Sequence, residues 1–222
     1  MPHHMQLLRP ALWVAAGLFC FGPIVGTSAA GTSACDTVSV GVDTTQANTA
    51  SGVLLTEAIG QTFRARSSRI AAITVWRVAP EDTNAFGIHL WITKADSLGG
   101  PLPHDVVLDG PTLVHPFGDG VHPIEFRFVF DPPVQLPGPG TYEFILNSTP
   151  CGGGWWDILA HHGGEIYPGG ILWAHSRSVY VDCLPRLFPA PQDADLVFKI
   201  EFCDTVTAVR QRTWGAMKAR YR

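Results

Sequence analysis

The sequence predicts an all-β protein, an antiparallel β-sandwich of the jelly-roll type. Three observations predict it. Apolar residues recur at every second position in one segment after another, the period at which a strand shows one face to a core. Glycine- and proline-rich turn signals separate those segments. Between residues 31 and 204, no segment repeats at the helical period of an amphipathic helix.

Taken in order, "GQTF" reads as a short strand and "RIAAITVWRV" as a longer one. In "FGIHLWIT", Ile88, Leu90 and Ile92 fall on one face, with His89, Trp91 and Thr93 on the other. "PIEFRFVF" sets Ile124, Phe126, Phe128 and Phe130 against Glu125, Arg127 and Val129. "TYEFILN" alternates through Tyr142, Phe144 and Leu146, and "ADLVFKIEF" through Leu196, Phe198, Ile200 and Phe202, opposite Lys199 and Glu201. These are half-buried strands. "DSLGGPLP", "LDGP", "FGDG", "DPP" and "LPGPG" read as the turns that join them.

The chain begins as a secretory leader does. "MPHHMQLLRP" holds one charge, Arg9, and precedes the apolar run "ALWVAAGLFCFGPIVG" and the small residues "TSAAGTSA". Residues 1–30 are therefore expected to be a signal peptide, and the protein secreted or held at the cell surface. The apolar run is shorter than the roughly 20 residues a spanning helix needs, and no transmembrane span is expected in the mature chain. Cys20, between Phe19 and Phe21, belongs to the leader. Cys35, Cys151, Cys183 and Cys203 remain, an even set that reads as two disulfides with three pairings open. Terminal strands often lie side by side in a sandwich, which favours Cys35–Cys203 with Cys151–Cys183. No C-x-x-C pair is present to make a cysteine zinc site.

Charge divides the mature chain into a domain, residues 31–204, and a basic tail, residues 205–222. Arg9 and the tail hold six of the fifteen basic residues, leaving nine against nineteen acids in the domain, a net of −10. Such a body offers no basic face for a nucleic acid. The tail, "TVTAVRQRTWGAMKARYR", has five basic residues and no acid. Thr213 is placed to cap a short helix with Trp214, Met217 and Tyr221 on one face. Sorting, weak attachment to an anionic surface and a plain solvated end are all open to it.

"IGQTFRARSSRIAAITVWRV", "FGIHLWITKADSLGGPLP" and "IEFRFVFDPPVQLPGPGTYEFILN" together resemble jelly-roll modules of secreted bacterial proteins. In those modules a "Q-T-F" strand leads to an "I-x-V-x" strand. An "I-x-L-x-I" strand with a "G-x-P" loop follows, then an "F-x-F" strand running into "V-x-L-x-P-G-x-Y". The likeness covers roughly residues 59–147. It includes carbohydrate-binding-like domains and surface-anchored β-sandwich domains, and implies a secreted, non-catalytic module. The tail resembles the short "T-W-G-x-x-K-x-x-Y-R" ends of some secreted bacterial proteins, which implies engagement with sorting machinery.

The stretch "CGGGWWDILAHHGGEIYPGGILW" carries the candidate ligand-binding residues Trp155, Trp156, Asp157, His161, Glu165, Tyr167 and Trp173, with His162 beside them. An indole can stack on the C–H face of a sugar while carboxylates and imidazoles take its hydroxyls, so a polysaccharide or cell-surface glycan is the expected partner. The same aromatics also suit core packing and the same glycines suit turns, the reading of a structural or surface-display protein with no small ligand.

No catalytic residues are assigned. Glycoside hydrolysis needs two carboxylates roughly 5–9 Å apart. The candidates Glu125, Glu143 and Glu165 include two that alternate opposite phenylalanines, as on a solvated outer face. Acyl-transfer and phosphate-loop motifs are absent. His89, His104, His115, His122, His161, His162 and His175 show no metal-binding spacing, and no cofactor is expected. Structural calcium is left open at Asp109 and Asp119, which Asp-Gly turns explain as well.

Overall fold

A computed structural model describes residues 36–53, 57–78, 87–114, 118–149, 156–176 and 187–204. The expected leader and tail, Cys35, Cys151, Cys183 and Trp155 lie outside the described residues, as does the side chain of Trp156. The strands are β1 (Asp36–Gly41), β2 (Thr49–Val53), β3 (Glu57–Arg64), β4 (Arg69–Arg77), β5 (Gly87–Ala95), β6 (Pro101–Val114) and β7 (Ile124–Gln135). They continue with β8 (Thr141–Thr149), β9 (Trp156–His162), β10 (Leu172–Ser176), β11 (Leu187–Pro191), β12 (Ala194–Leu196) and β13 (Phe198–Asp204). The helical content among the described residues is a single 3-10 turn, Thr44–Gln46, capped by Asp43.

The strands form two antiparallel sheets. β2 to β9 wind through them in the orders β2-β9-β4-β7 and β3-β8-β5-β6, the order of an eight-stranded jelly roll. The remaining strands are additions. β9 meets β4 only at Ile158 and Arg77, and β13 takes over that side of β4 with β1 at its outer edge. β12 lies against β9. In the second sheet, β10 and β11 extend the edge beyond β3.

Alternation sets the core. Phe126, Phe128, Phe198, Ile200 and Phe202 of the first sheet and Phe63, Leu90, Ile92, Phe144 and Leu146 of the second are buried and face one another. Phe63 meets Phe202 at 6.3 Å between ring centres, and Phe144 meets Phe198 at 5.4 Å. Each such ring contributes about 1.5–3 kcal/mol by leaving water.

Two expected turns are not turns. "LDGP" lies inside β6, where the register against β5 slips between His89 and Trp91. A Cβ on Gly110 would fall 2.6 Å from the Leu90 carbonyl oxygen, so glycine permits the close crossing. "DPP" lies inside β7, at a slip opposite Ile70 to Ala72. In both cases a bulge absorbs the turn-forming residues within the strand. "ADLVFKIEF" breaks at Val197, whose N–H donates to the Leu159 carbonyl at 2.8 Å. The terminal strands do lie side by side, with Thr37 opposite Cys203, which is buried.

Candidate functional site

Three turns gather at one end of the sandwich and enclose an open cleft of about 1100 Å³. They are 96–100 between β5 and β6, 136–140 between β7 and β8, and 167–171 leading into β10. Each is fixed by a side chain. Asp96 Oδ1 accepts the N–H groups of Leu98 and Gly100, both at 2.8 Å, and Gly99 supplies the left-handed φ of +85° that the turn requires. The Tyr142 hydroxyl donates to the Gly138 carbonyl at 2.6 Å and accepts the Gly138 N–H at 3.2 Å. The Thr62 hydroxyl donates to the Ile171 carbonyl at 3.1 Å and accepts the Ile171 N–H at 2.9 Å. Arg64, Lys94, Leu98 and Trp173 line the cleft. Leu98 is 94% exposed at its tip. A smaller cleft of about 720 Å³, lined by Arg66 and Tyr167 among others, adjoins it across Arg64, Ala65, Pro168 and Gly169.

Behind Trp173 the outer face of the second sheet is unusual. Trp173, Gly60, Ile145 and Trp91 form one cross-strand row over β10, β3, β8 and β5. Glu143 and His175 lie on either side of that row and reach each other across Gly60, His175 Nε2 to Glu143 Oε1 at 2.6 Å. Both side chains are fully buried. A Cβ on Gly60 would fall 2.0 Å from Glu143 Oε1, so only glycine leaves the pair its path. Burial pushes the Glu143 carboxyl up from its ordinary value, against the pull of His175 and Thr93. Thr93 is the cross-strand neighbour of Glu143, but no hydrogen bond of sound geometry joins them.

Among the described residues, the buried side-chain polar atoms without a hydrogen bond are Trp91 Nε1, Thr93 Oγ1, Glu143 Oε2, Trp173 Nε1 and His175 Nδ1. All five belong to this face. Buried polar groups are normally paired, because an unmade hydrogen bond costs about 1–3 kcal/mol. Five such atoms around two indoles concentrate unmet hydrogen-bonding capacity on this one face.

The residues anticipated from the 151–173 stretch disperse. Trp173 stands in the cleft wall. Tyr167 is in the core, edge-on to Phe198 with 5.0 Å between ring centres. His161 Nδ1 donates to the Gln46 carbonyl at 2.6 Å, and His162 exchanges backbone bonds of 2.8 and 2.9 Å with the Asn48 amide. Asp157 is on the exposed face of β9, and its carbonyl accepts the Val78 N–H at 2.7 Å. Glu165 is exposed and raises the pKa of Asp195 through its charge, an addition to the larger effect of burial. Asp195 itself accepts the N–H groups of Ile166 and Tyr167 and a bond from the buried Gln61, which ties this loop to β3.

The solvated outer face expected for both glutamates holds for Glu125 and fails for Glu143, which is buried on the outside of the second sheet. The two lie on opposite outer faces and do not form a carboxylate pair. Asp109 is bonded to His89 Nε2 at 2.7 Å. Asp119 is bonded to His122 Nδ1 at 2.5 Å and accepts two backbone N–H groups, and the His122 bond is the main cause holding its carboxyl well below the usual range. Among the described residues no three His, Cys, Asp or Glu side chains gather as metal ligands, and no helix is long and apolar enough to cross a membrane.

Sequence reasoning missed Arg64, Lys94, Trp91 and the Glu143–His175 pair. The turn signals themselves could have found the cleft: "DSLGG", "LPGPG" and "YPGG" all punctuate strands that end at the same side. Neither a scan of protein-family models nor a search of curated protein sequences returns a match to this chain.

Proposed function

We propose that this chain is a secreted, non-catalytic binding module that takes a glycan in its loop-end cleft, at or outside the cell surface. The observation that carries this reading is Trp173: it lines an open cleft, and its buried indole N–H has no partner. A flat aromatic wall suits the C–H face of a sugar ring, and pre-formed turns rich in backbone groups suit its hydroxyls. The leader pattern supports the compartment. The Cys35–Cys203 and Cys151–Cys183 pairing is part of the proposal. It is supported by the adjacency of β1 and β13, the strand in which Cys203 is buried. The tail is proposed to engage sorting machinery.

A second reading, a surface-display sandwich with no small ligand, is favoured by the use of Tyr167, His161 and His162 in packing and turn anchoring. Affinity electrophoresis of the full chain through gels containing different polysaccharides, with calcium and with chelator, separates the two. Glycan binding predicts retardation by at least one polymer, lost in Trp173→Ala with the circular dichroism unchanged. Unaltered mobility across a broad panel supports the display protein.

A further inference from the structure

We infer that the ligand of the loop-end cleft is an anionic glycan, a sugar chain bearing carboxylates, gripped by Arg64 and Lys94; this rests on the glycan reading above. The domain holds nine basic residues against nineteen acids, yet three of the nine, Arg64, Arg66 and Lys94, line the two adjoining clefts. Arg64 belongs to both. Elsewhere in the described residues Arg127 and Lys199 are engaged with Glu201; among the described residues the three cleft cations, like Arg69, have no ion pair. The one acid lining either cleft is Asp96, whose Oδ1 is already committed to the N–H groups of Leu98 and Gly100.

Charge complementarity then selects the ligand. The net charge of the body disfavours an acidic polymer, whereas three cations gathered at this end favour its approach there. The guanidinium of Arg64 offers the planar fork that fits a carboxylate with two parallel hydrogen bonds, and Lys94 adds a point charge from β5, across β8 from Arg64. Trp173, which also lines the cleft, supplies the stacking surface for the ring that carries the carboxylate. A neutral glycan could take hydrogen bonds from these cations but would offer no counter-charge, so a carboxylate gains more from them.

The test is surface plasmon resonance of the full chain on immobilised polygalacturonate, dextran sulfate and neutral dextran, at low and high salt. The proposal expects binding to polygalacturonate that salt weakens, and no binding to dextran. The double variant Arg64→Ser/Lys94→Ser should weaken that binding by about tenfold or more, and the charge-keeping Arg64→Lys/Lys94→Arg should retain most of it. Binding to dextran sulfate alone would overturn the carboxylate assignment. Equal binding to dextran, or indifference to Arg64→Ser/Lys94→Ser, would overturn the anionic assignment while the glycan reading stands, provided that Trp173→Ala abolishes the signal. Full competition by inorganic phosphate with no effect of Trp173→Ala would reduce the cleft to a general anion site and overturn both, as would silence on neutral and acidic polymers alike.

Discussion

On the outer face of the first sheet, Glu201 accepts hydrogen bonds from Arg127 at 2.7 Å and Lys199 at 2.8 Å, and these bonds hold its carboxyl below the usual range. On the outer face of the second sheet, Glu143 is equally close to a partner, His175, but is wholly buried, and burial drives its carboxyl the other way. One face solves its electrostatics with paired, partly solvated charges. The other buries a hydrogen-bonded pair over a glycine and leaves five buried polar atoms unpartnered. A solvated ladder meets its charges at little cost, whereas a buried and under-satisfied cluster is costly.

The sharpest way to break this comparison is to remove one partner from each face. Glu143→Ala leaves the buried His175 without its hydrogen-bond partner and should cost about 1–3 kcal/mol in denaturant unfolding. Gly60→Ala forces a methyl group onto Glu143 Oε1; overpacking of that kind should cost about 1–3 kcal/mol.

The pH dependence sharpens the contrast. A carboxyl whose folded pKa is raised contributes stability that is fully present below its unfolded value and is lost as pH rises through the folded one. Glu143 should therefore make unfolding easier as pH climbs above its ordinary 4.5, and Glu143→Gln should flatten that slope. Glu201, with a lowered pKa, acts in the opposite sense, and its contribution is lost as pH falls below 4.5. The smallest effect belongs to Glu201→Ala. Arg127 and Lys199 are nearly half exposed, so that change should cost no more than about 1 kcal/mol.

The two glutamates of "IEFRF" and "YEFIL" show how far the sequence could be read. Both alternate opposite phenylalanines and both were expected outside the core, which is correct for the face they occupy. What differs is the next outward residue: Arg127 follows Glu125, whereas Ile145 follows Glu143. An apolar residue at an outward position marks a covered face, and that signal was available. The sandwich itself was legible because alternation reports burial directly. Turn chemistry was less reliable, because Gly110 and the prolines of "DPP" serve as bulges when a long neighbouring strand holds them in register. Trp173, named from the sequence, lines the cleft, whereas Arg64 and Lys94, which line it too, were not named. Their convergence depends on which strand ends share one side of the sandwich, and no local pattern states that.

Binding of an acidic sugar chain in the cleft lined by Trp173, as proposed above, would change the surroundings of that indole. The most direct measurement is the indole N–H spectrum of the isotope-labelled full chain during titration with oligogalacturonate, with the Trp173 signal assigned by its loss in Trp173→Phe. The account predicts a saturable shift of the Trp173 resonance while Trp76, on the outer face of the first sheet, stays fixed. A Trp173 resonance that does not move while the oligosaccharide binds, or while Trp76 moves in its place, would contradict it.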